Sequence, residues 1–137
     1  MRSVHIITVI RMNAEVIEEE FERLSKTEFL EVKSCLLREG AWTDETLNEW
    51  LSKMKGDLSA VEAMINHVHI YRLFWEGGDE LAEQQVIDLG RKLKNTWELR
   101  LRKQFPDKDI VVSFDEEVPK DGWLGDLQVT AYVNRNV

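Results

Sequence analysis

The C-terminal part of this chain constrains its fold most, because one long amphipathic helix is followed there by two strands. The helical pattern runs from Asp79 to Phe105 and stops before Pro106, which cannot continue a helix. At about 100° per residue the pattern collects one apolar stripe, formed by Val86, Leu89, Leu93, Trp97, Leu101 and Phe105. Residues 109–114 and 127–133 then alternate apolar and polar side chains, which predicts two half-buried strands.

The N-terminal region predicts one strand and one acidic helix. Residues 4–10 are apolar on both faces of a strand, as expected for a strand that is covered on both sides. Asn13 is a suitable N-cap for the helix, and its spaced apolar residues continue to Leu24. Glu18 and Glu19 fall outside that apolar stripe, so the helix should expose an acidic flank.

Two more helices are predicted in the middle of the chain. Thr43 opens the first, which ends near Lys55. Ser59 and Glu62 match a capping box, in which the serine caps the helix start and the glutamate reaches back to it. The helix that they open continues to about Trp75 and is apolar nearly all round, which is typical of a helix in the centre of a core.

Residues 28–38 fit two patterns. Helical spacing connects Phe29, Val32 and Leu36, whereas strand alternation connects Leu30, Val32, Ser34 and Leu36. We favour a helix that Gly40 terminates, and keep the strand as the alternative.

Together these elements predict one α+β domain spanning residues 1–137. We expect four to five helices packed on one face of a small, mostly antiparallel sheet, built from the N-terminal strand and the two C-terminal strands. Residues 115–126 are a long link for a hairpin. One explanation is that the N-terminal strand lies between the two C-terminal strands, with the link crossing over it.

Charge and cysteine content restrict the partners and the compartment. There are 26 acidic and 18 basic side chains, a net charge of −8, which argues against binding to nucleic acid. Cys35 is the single cysteine, so an internal disulfide cannot form and a reducing compartment is favoured. The apolar run in residues 1–10 is short and has no cleavage site for a signal peptide, and no segment has the roughly 20 apolar residues of a membrane span. We expect a cytoplasmic protein that does not contact membranes.

No residue pattern identifies a reaction. His67 and His69 lie two apart on a predicted helix and should point about 200° away from each other, so we predict no metal site there. His5 is distant in sequence, and Cys35 lacks the surroundings of a reactive thiol. The chain contains no phosphate-binding loop, dinucleotide motif, zinc spacing or catalytic triad, and we predict no cofactor.

The link at residues 115–126 is the most distinctive surface candidate. It contains five carboxylates and one lysine, and it holds Trp123 between two glycines. Such a tryptophan either packs back into the core or anchors a partner. The ligand spacing of an EF-hand is absent. The basic residues of the long helix, among them Arg91 and Lys92, are interpreted as a solvated face that complements the helix dipole.

We therefore predict a non-enzymatic module that binds another protein, with a basic protein as the favoured partner. In size and charge the chain is similar to bacterial immunity proteins, which neutralise basic toxins, and to secretion chaperones; the likeness is one of composition and carries no motif. The contact candidates are Glu18, Glu19, Asp115, Glu116, Glu117 and Trp123. The alternative is a small enzyme or ligand-binding domain with a pocket that contains His5, His67 or His69. A homodimer formed through a sheet edge is a further alternative.

Overall fold

The computed structural model describes residues 18–70, 83–116 and 127–135, which form helices and short antiparallel strands. In chain order the elements are α1 (residues 18–25), β1 (Phe29–Val32), β2 (Cys35–Arg38), α2 (Asp44–Lys53), α3 (Leu58–Asn66), β3 (Val68–His69), α4 (Glu83–Gln104), β4 (Ile110–Phe114) and β5 (Gln128–Val133). The predicted α+β class is confirmed. The predicted strand at residues 4–10 and the Asn13 cap lie outside the described residues.

The strands form two small antiparallel sheets. Strands β1 and β2 make a hairpin, and the other three have the order β3-β5-β4. In the second sheet Val112 lies opposite Ala131, and Val68 lies opposite Val129. The two C-terminal strands are thus hydrogen-bonded directly to each other. The prediction that the N-terminal strand lies between them was wrong, because the edge of β5 that faces β4 is fully used by that pairing.

Residues 28–38 form the hairpin rather than the favoured helix. The reason is that the segment is buried on both faces: Phe29 and Leu36 contact one core cluster, and Cys35 and Leu37 contact another. Successive side chains of a strand point to opposite faces, so the hairpin contacts both clusters at once. A helix would expose the side chains of one cluster to solvent.

The hairpin turn places two non-glycine residues in the left-handed region. Lys33 has φ of 50° and Ser34 has φ of 67°, as a two-residue turn of this hand requires. Hydrogen bonds with Asn48 and Arg135, which lie outside the hairpin, stabilise this turn. Asn48 Oδ1 accepts a hydrogen bond of 2.8 Å from Lys33 Nζ, and Arg135 Nη2 donates one of 3.1 Å to the Ser34 carbonyl.

We expect the substitution Ser34→Gly to raise the free energy of unfolding by about 0.5–1 kcal/mol, because glycine adopts positive φ without strain. Urea denaturation followed by circular dichroism measures the change. The control is Ser52→Gly on the exposed side of α2, where glycine should lower stability because it disfavours a helix. Destabilisation by both substitutions would show that the turn is not strained.

Two apolar clusters fill the interior. The main cluster lies between α1, α4 and the three-stranded sheet, and Trp97 is fully buried there with its ring edge-to-face against Phe29 at 5.3 Å. The second cluster lies between the hairpin, α2 and α3, with Leu47 fully buried at its centre. Gly90 of α4 allows the ring of Phe114 to approach, because a Cβ atom at Gly90 would lie 2.1 Å from that ring.

Helix α4 matches its predicted pattern, and none of the described helices is long and apolar enough to cross a membrane. Helix α2 also begins as predicted, since the Thr43 side chain accepts a hydrogen bond from the Thr46 amide.

Helix α3 departs from its prediction at both ends. Its N-cap is Asp57, which accepts from the Ala60 amide, so the predicted capping box of Ser59 and Glu62 was wrong. The helix ends at Asn66 instead of near Trp75, because His67 is extended and strand β3 follows. Residues 71–75 of the predicted helix lie outside the described part of the chain.

Glu62 and Asn66, two polar residues of α3, connect the two sheets; we call this pair the α3 bridge. Both are fully buried and stand four residues apart on the same side of the helix. The Glu62 carboxylate accepts from the amides of Leu36 in β2, at 2.5 Å, and of Val133 in β5, at 3.0 Å. It also pairs with Arg135 at 2.5 and 2.8 Å.

Asn66 completes the α3 bridge with three hydrogen bonds. Its Nδ2 donates to the carbonyls of Leu36, at 2.8 Å, and Ala131, at 2.9 Å. Its Oδ1 accepts from the Arg38 amide at 2.8 Å. These backbone N–H and C=O groups of β2 and β5 point away from the strands paired with them. The side chains of Glu62 and Asn66 therefore bond to backbone groups that would otherwise lack partners.

The substitution Glu62→Gln should lower the free energy of unfolding by about 2–4 kcal/mol, because Arg135 loses its counter-charge and a buried amide donor then faces another donor. Urea denaturation measures the loss. The matched control is Glu98→Gln, which affects an exposed pair with Arg102 on α4 and should cost less than about 0.5 kcal/mol. Similar losses in the two variants would contradict a special role for Glu62.

Candidate functional site

The structure describes four of the six predicted contact residues. Glu18 and Glu19 are exposed at the start of the described part of α1, and within the described ranges neither carboxylate forms an ion pair. Asp115 and Glu116 are exposed directly after β4. Glu117 and Trp123 lie outside the described residues.

Helix α1 runs parallel to α4 and packs along it. Near the start of the contact, Lys92 Nζ lies 5.2 Å from the centre of the Phe21 ring. One turn further along both helices, Trp97 Nε1 donates a hydrogen bond of 2.9 Å to the Leu24 carbonyl. Since both helices advance in the same direction, the start of α1 lies beside the first half of α4.

The end of β4 reaches the same half of α4. The Phe114 ring packs against Gly90, and Glu116 accepts hydrogen bonds of 2.6 and 3.0 Å from the Arg91 guanidinium. Both predicted acidic segments thus lie along the first half of α4, the start of α1 near Lys92 and the end of β4 at Arg91. We call Glu18, Glu19, Asp115 and Glu116 the acidic end.

Two arginines in the second half of α4 have partners within the chain. Arg100 donates to the carbonyls of Ser25, which ends α1, and of Thr27, which follows it, and lies 3.5 Å from the Glu28 carboxylate. Arg102 pairs with Glu98 on the same helix.

The ion pair with Arg91 changes the titration of Glu116. Hydrogen bonding to the guanidinium, followed by its charge and that of Lys94, holds the pKa of Glu116 below its ordinary value. The same hydrogen bond raises the pKa of Arg91. A carboxyl whose folded-state pKa is lowered adds stability above its unfolded pKa, and this stability is lost as the pH falls through the folded value.

Substituting Arg91→Gln should therefore raise the pKa of Glu116 towards its ordinary value. An NMR titration of the Glu116 carboxyl carbon in the wild type and the variant measures this shift. The control is Arg102→Gln, which should leave the pKa of Glu116 unchanged, because Arg102 pairs with Glu98. Equal titration of Glu116 in all three proteins would mean that the ion pair with Arg91 is absent in solution.

His67 and His69 face each other, contrary to the prediction that they diverge. Because α3 ends at Asn66, the two residues lie on an extended segment, where positions two apart share a face. Their rings meet edge-to-face at 4.8 Å, and His67 Nδ1 is hydrogen-bonded to the Met64 carbonyl. The described residues contain no group of three or more metal-binding side chains, and His5 lies outside them.

A shallow surface depression of about 480 Å³ lies on α2, and its lining residues are Glu45, Asn48, Glu49, Ser52 and Lys53. No histidine borders this depression.

Cys35 is fully buried and inert in its setting. Burial raises the pKa of its thiol, the Glu62 carboxylate raises it further, and the Arg135 charge lowers it in part. A nucleophilic cysteine needs the opposite shift, so the geometry opposes catalysis by this residue.

Sequence reasoning missed the roles of Glu62 and Asn66. A signal for both was present, because they are polar residues four apart on a helix that is otherwise largely apolar.

Comparison of the chain with protein-family models, with curated proteins and with solved structures found no match.

Proposed function

We propose that this protein is a non-enzymatic module that binds a basic protein through its acidic end. The observation that carries the proposal is the pair Glu18 and Glu19, two exposed carboxylates without an ion-pair partner among the described residues. Charges that the described residues do not pair are available to a partner. Asp115 and Glu116 are exposed beside the same half of α4, where Glu116 is paired with Arg91.

The use of the buried polar groups supports a binding role over an enzymatic one. Glu62 and Asn66 are bonded to backbone groups or to Arg135, and the thiol of Cys35 has a raised pKa. These groups stabilise the fold, and none of them borders the depression on α2. The exposed carboxylates of the acidic end are the groups that the proposed binding role uses.

An acidic surface acts mainly on the rate of encounter. A net charge of −8 attracts basic partners, and carboxylates at a contact rim orient the complex. The attraction falls off over roughly 8 Å at physiological ionic strength, so binding that depends on it weakens as salt is added. Glu117 and Trp123 remain predicted contacts, with Trp123 as an aromatic anchor.

The cytoplasm is the compartment that we propose for this interaction. The single cysteine supports it, because a chain with one thiol cannot form the internal disulfides that an oxidising compartment favours.

Reversing the charges of Glu18 and Glu19 tests the proposal. The tagged protein and its Glu18→Lys/Glu19→Lys variant are used for affinity capture from host lysate at low and moderate salt. We expect the wild type to retain one stoichiometric basic protein, and the variant to retain about tenfold less of it at low salt. The difference should shrink at moderate salt.

The matched control is Glu45→Lys/Glu49→Lys, which makes the same charge change on the exposed side of α2. It should capture the partner as the wild type does. Equal losses in both variants would show that net charge alone determines binding. Capture of no basic protein by the wild type would contradict the proposed function.

A further inference from the structure

His67 and His69, at the junction of α3 and β3, form a pair that the proposed function does not use. The two residues stand two positions apart on extended backbone, so their side chains lie on the same face, and their ring centres are 4.8 Å apart. The prediction against a metal site at these residues assumed that they diverge around a helix. Because α3 ends before them, that assumption does not hold.

The separation of the two rings matches that of two ligands of one metal ion. A ligating nitrogen lies about 2.0–2.1 Å from zinc and about 1.1 Å from the centre of its own ring, so two imidazoles on a tetrahedral zinc have centres roughly 5 Å apart. The observed distance of 4.8 Å is close to this value. A metal ion could therefore be bound without a rearrangement of the backbone.

The hydrogen bond of His67 determines which of its ring nitrogens can bind a metal. Its Nδ1 atom is bonded to the Met64 carbonyl. A carbonyl oxygen only accepts, so in the neutral ring Nδ1 carries the proton and Nε2 keeps its lone pair. Histidines that bind metals almost always donate their second ring N–H in this way, to a carboxylate, a backbone carbonyl or water.

The Nε2 atom of His67 is open to solvent. Both histidine side chains are partly exposed. Among the described residues, the only fully buried side-chain nitrogen or oxygen without a hydrogen-bond partner is Arg38 Nε. The Nε2 atom of His67 has no such partner either, so it is not buried. His69 needs only one of its two ring nitrogens for a metal, and the other can keep a hydrogen bond.

The end of α3 favours a cation at this place. The carbonyls in the last turn of a helix carry a partial negative charge, and α3 has no basic residue in its last turn. A metal ion on the two imidazoles, beside the Met64 carbonyl, would lie at this negative end.

We propose that His67 and His69 together bind a divalent transition-metal ion. Imidazole ligands select zinc, copper and nickel, whereas Mg²⁺ and Ca²⁺ need oxygen ligands. The described residues contain no group of three or more metal-binding side chains, so water occupies the remaining coordination positions of the proposed site. This inference is independent of the proposed function.

Isothermal titration of the full chain with zinc chloride, in a buffer that does not bind metals, tests the proposal. We expect the wild type to bind one zinc ion per chain. The variants His67→Gln and His69→Gln should each bind it roughly a hundredfold more weakly, because a single imidazole loses the advantage of chelation. Equal zinc affinity in the wild type and both variants would overturn the proposal.

The matched control is Glu45→Gln/Glu49→Gln, which removes two carboxylates four positions apart beside the depression on α2. It should bind zinc as the wild type does. Loss of zinc binding in this control, with binding kept in the histidine variants, would overturn the proposal. Titration with magnesium chloride separates imidazole from carboxylate ligands, and magnesium binding as tight as that of zinc would also overturn it.

An NMR measurement on the wild type decides the question if the histidine variants fail to fold. Zinc should shift the Nε2 resonance of His67 while its Nδ1 atom stays protonated, and it should shift a ring nitrogen of His69. Unchanged resonances of both histidines at saturating zinc would overturn the proposal.

Discussion

The rest of the structure depends on the α3 bridge, Glu62 and Asn66. These two side chains form hydrogen bonds to strands of two different sheets. The hairpin and the three-stranded sheet share no strand pairing, so a helix has to satisfy both of their inner edges. A carboxylate accepts from two amides and an arginine at once, and a carboxamide donates to carbonyls while it accepts from an amide. Apolar residues at these positions would leave strand edges buried without partners.

The α3 bridge also explains features around it. Arg135 neutralises Glu62 and also donates a hydrogen bond to the Ser34 carbonyl. This bond stabilises a turn with two residues at positive φ. Cys35 follows that turn, and its thiol is buried near both charges. The Arg38 amide is bonded to Asn66, while the Nε atom of its side chain is buried without a hydrogen-bond partner among the described residues.

The acidic end is a product of helix packing rather than of local sequence. Glu18 and Glu116 are almost a hundred positions apart, and the contacts of α1 and of the end of β4 with α4 bring their segments to the same half of that helix. That contact depends on Trp97, whose indole both fills the main cluster and bonds to the end of α1. Sequence analysis identified these carboxylates as exposed. It could not show that Arg91 pairs with Glu116, while Glu18 and Glu19 have no ion-pair partner among the described residues.

Local pattern was sufficient wherever one periodicity dominated. The α+β class, helix α4, the Thr43 cap and strands β4 and β5 were all predictable, because a strong apolar stripe or alternation allows one solution. The hairpin, the early end of α3 and the direct pairing of β4 with β5 were decided by tertiary structure. In these places the sequence is compatible with more than one element, and long-range hydrogen bonds select among them. The sequence by itself thus determined the fold class and the acidic character of the surface. Tertiary structure alone decided which charges of the described residues are paired and which are not, because pairing depends on distances that no local pattern encodes.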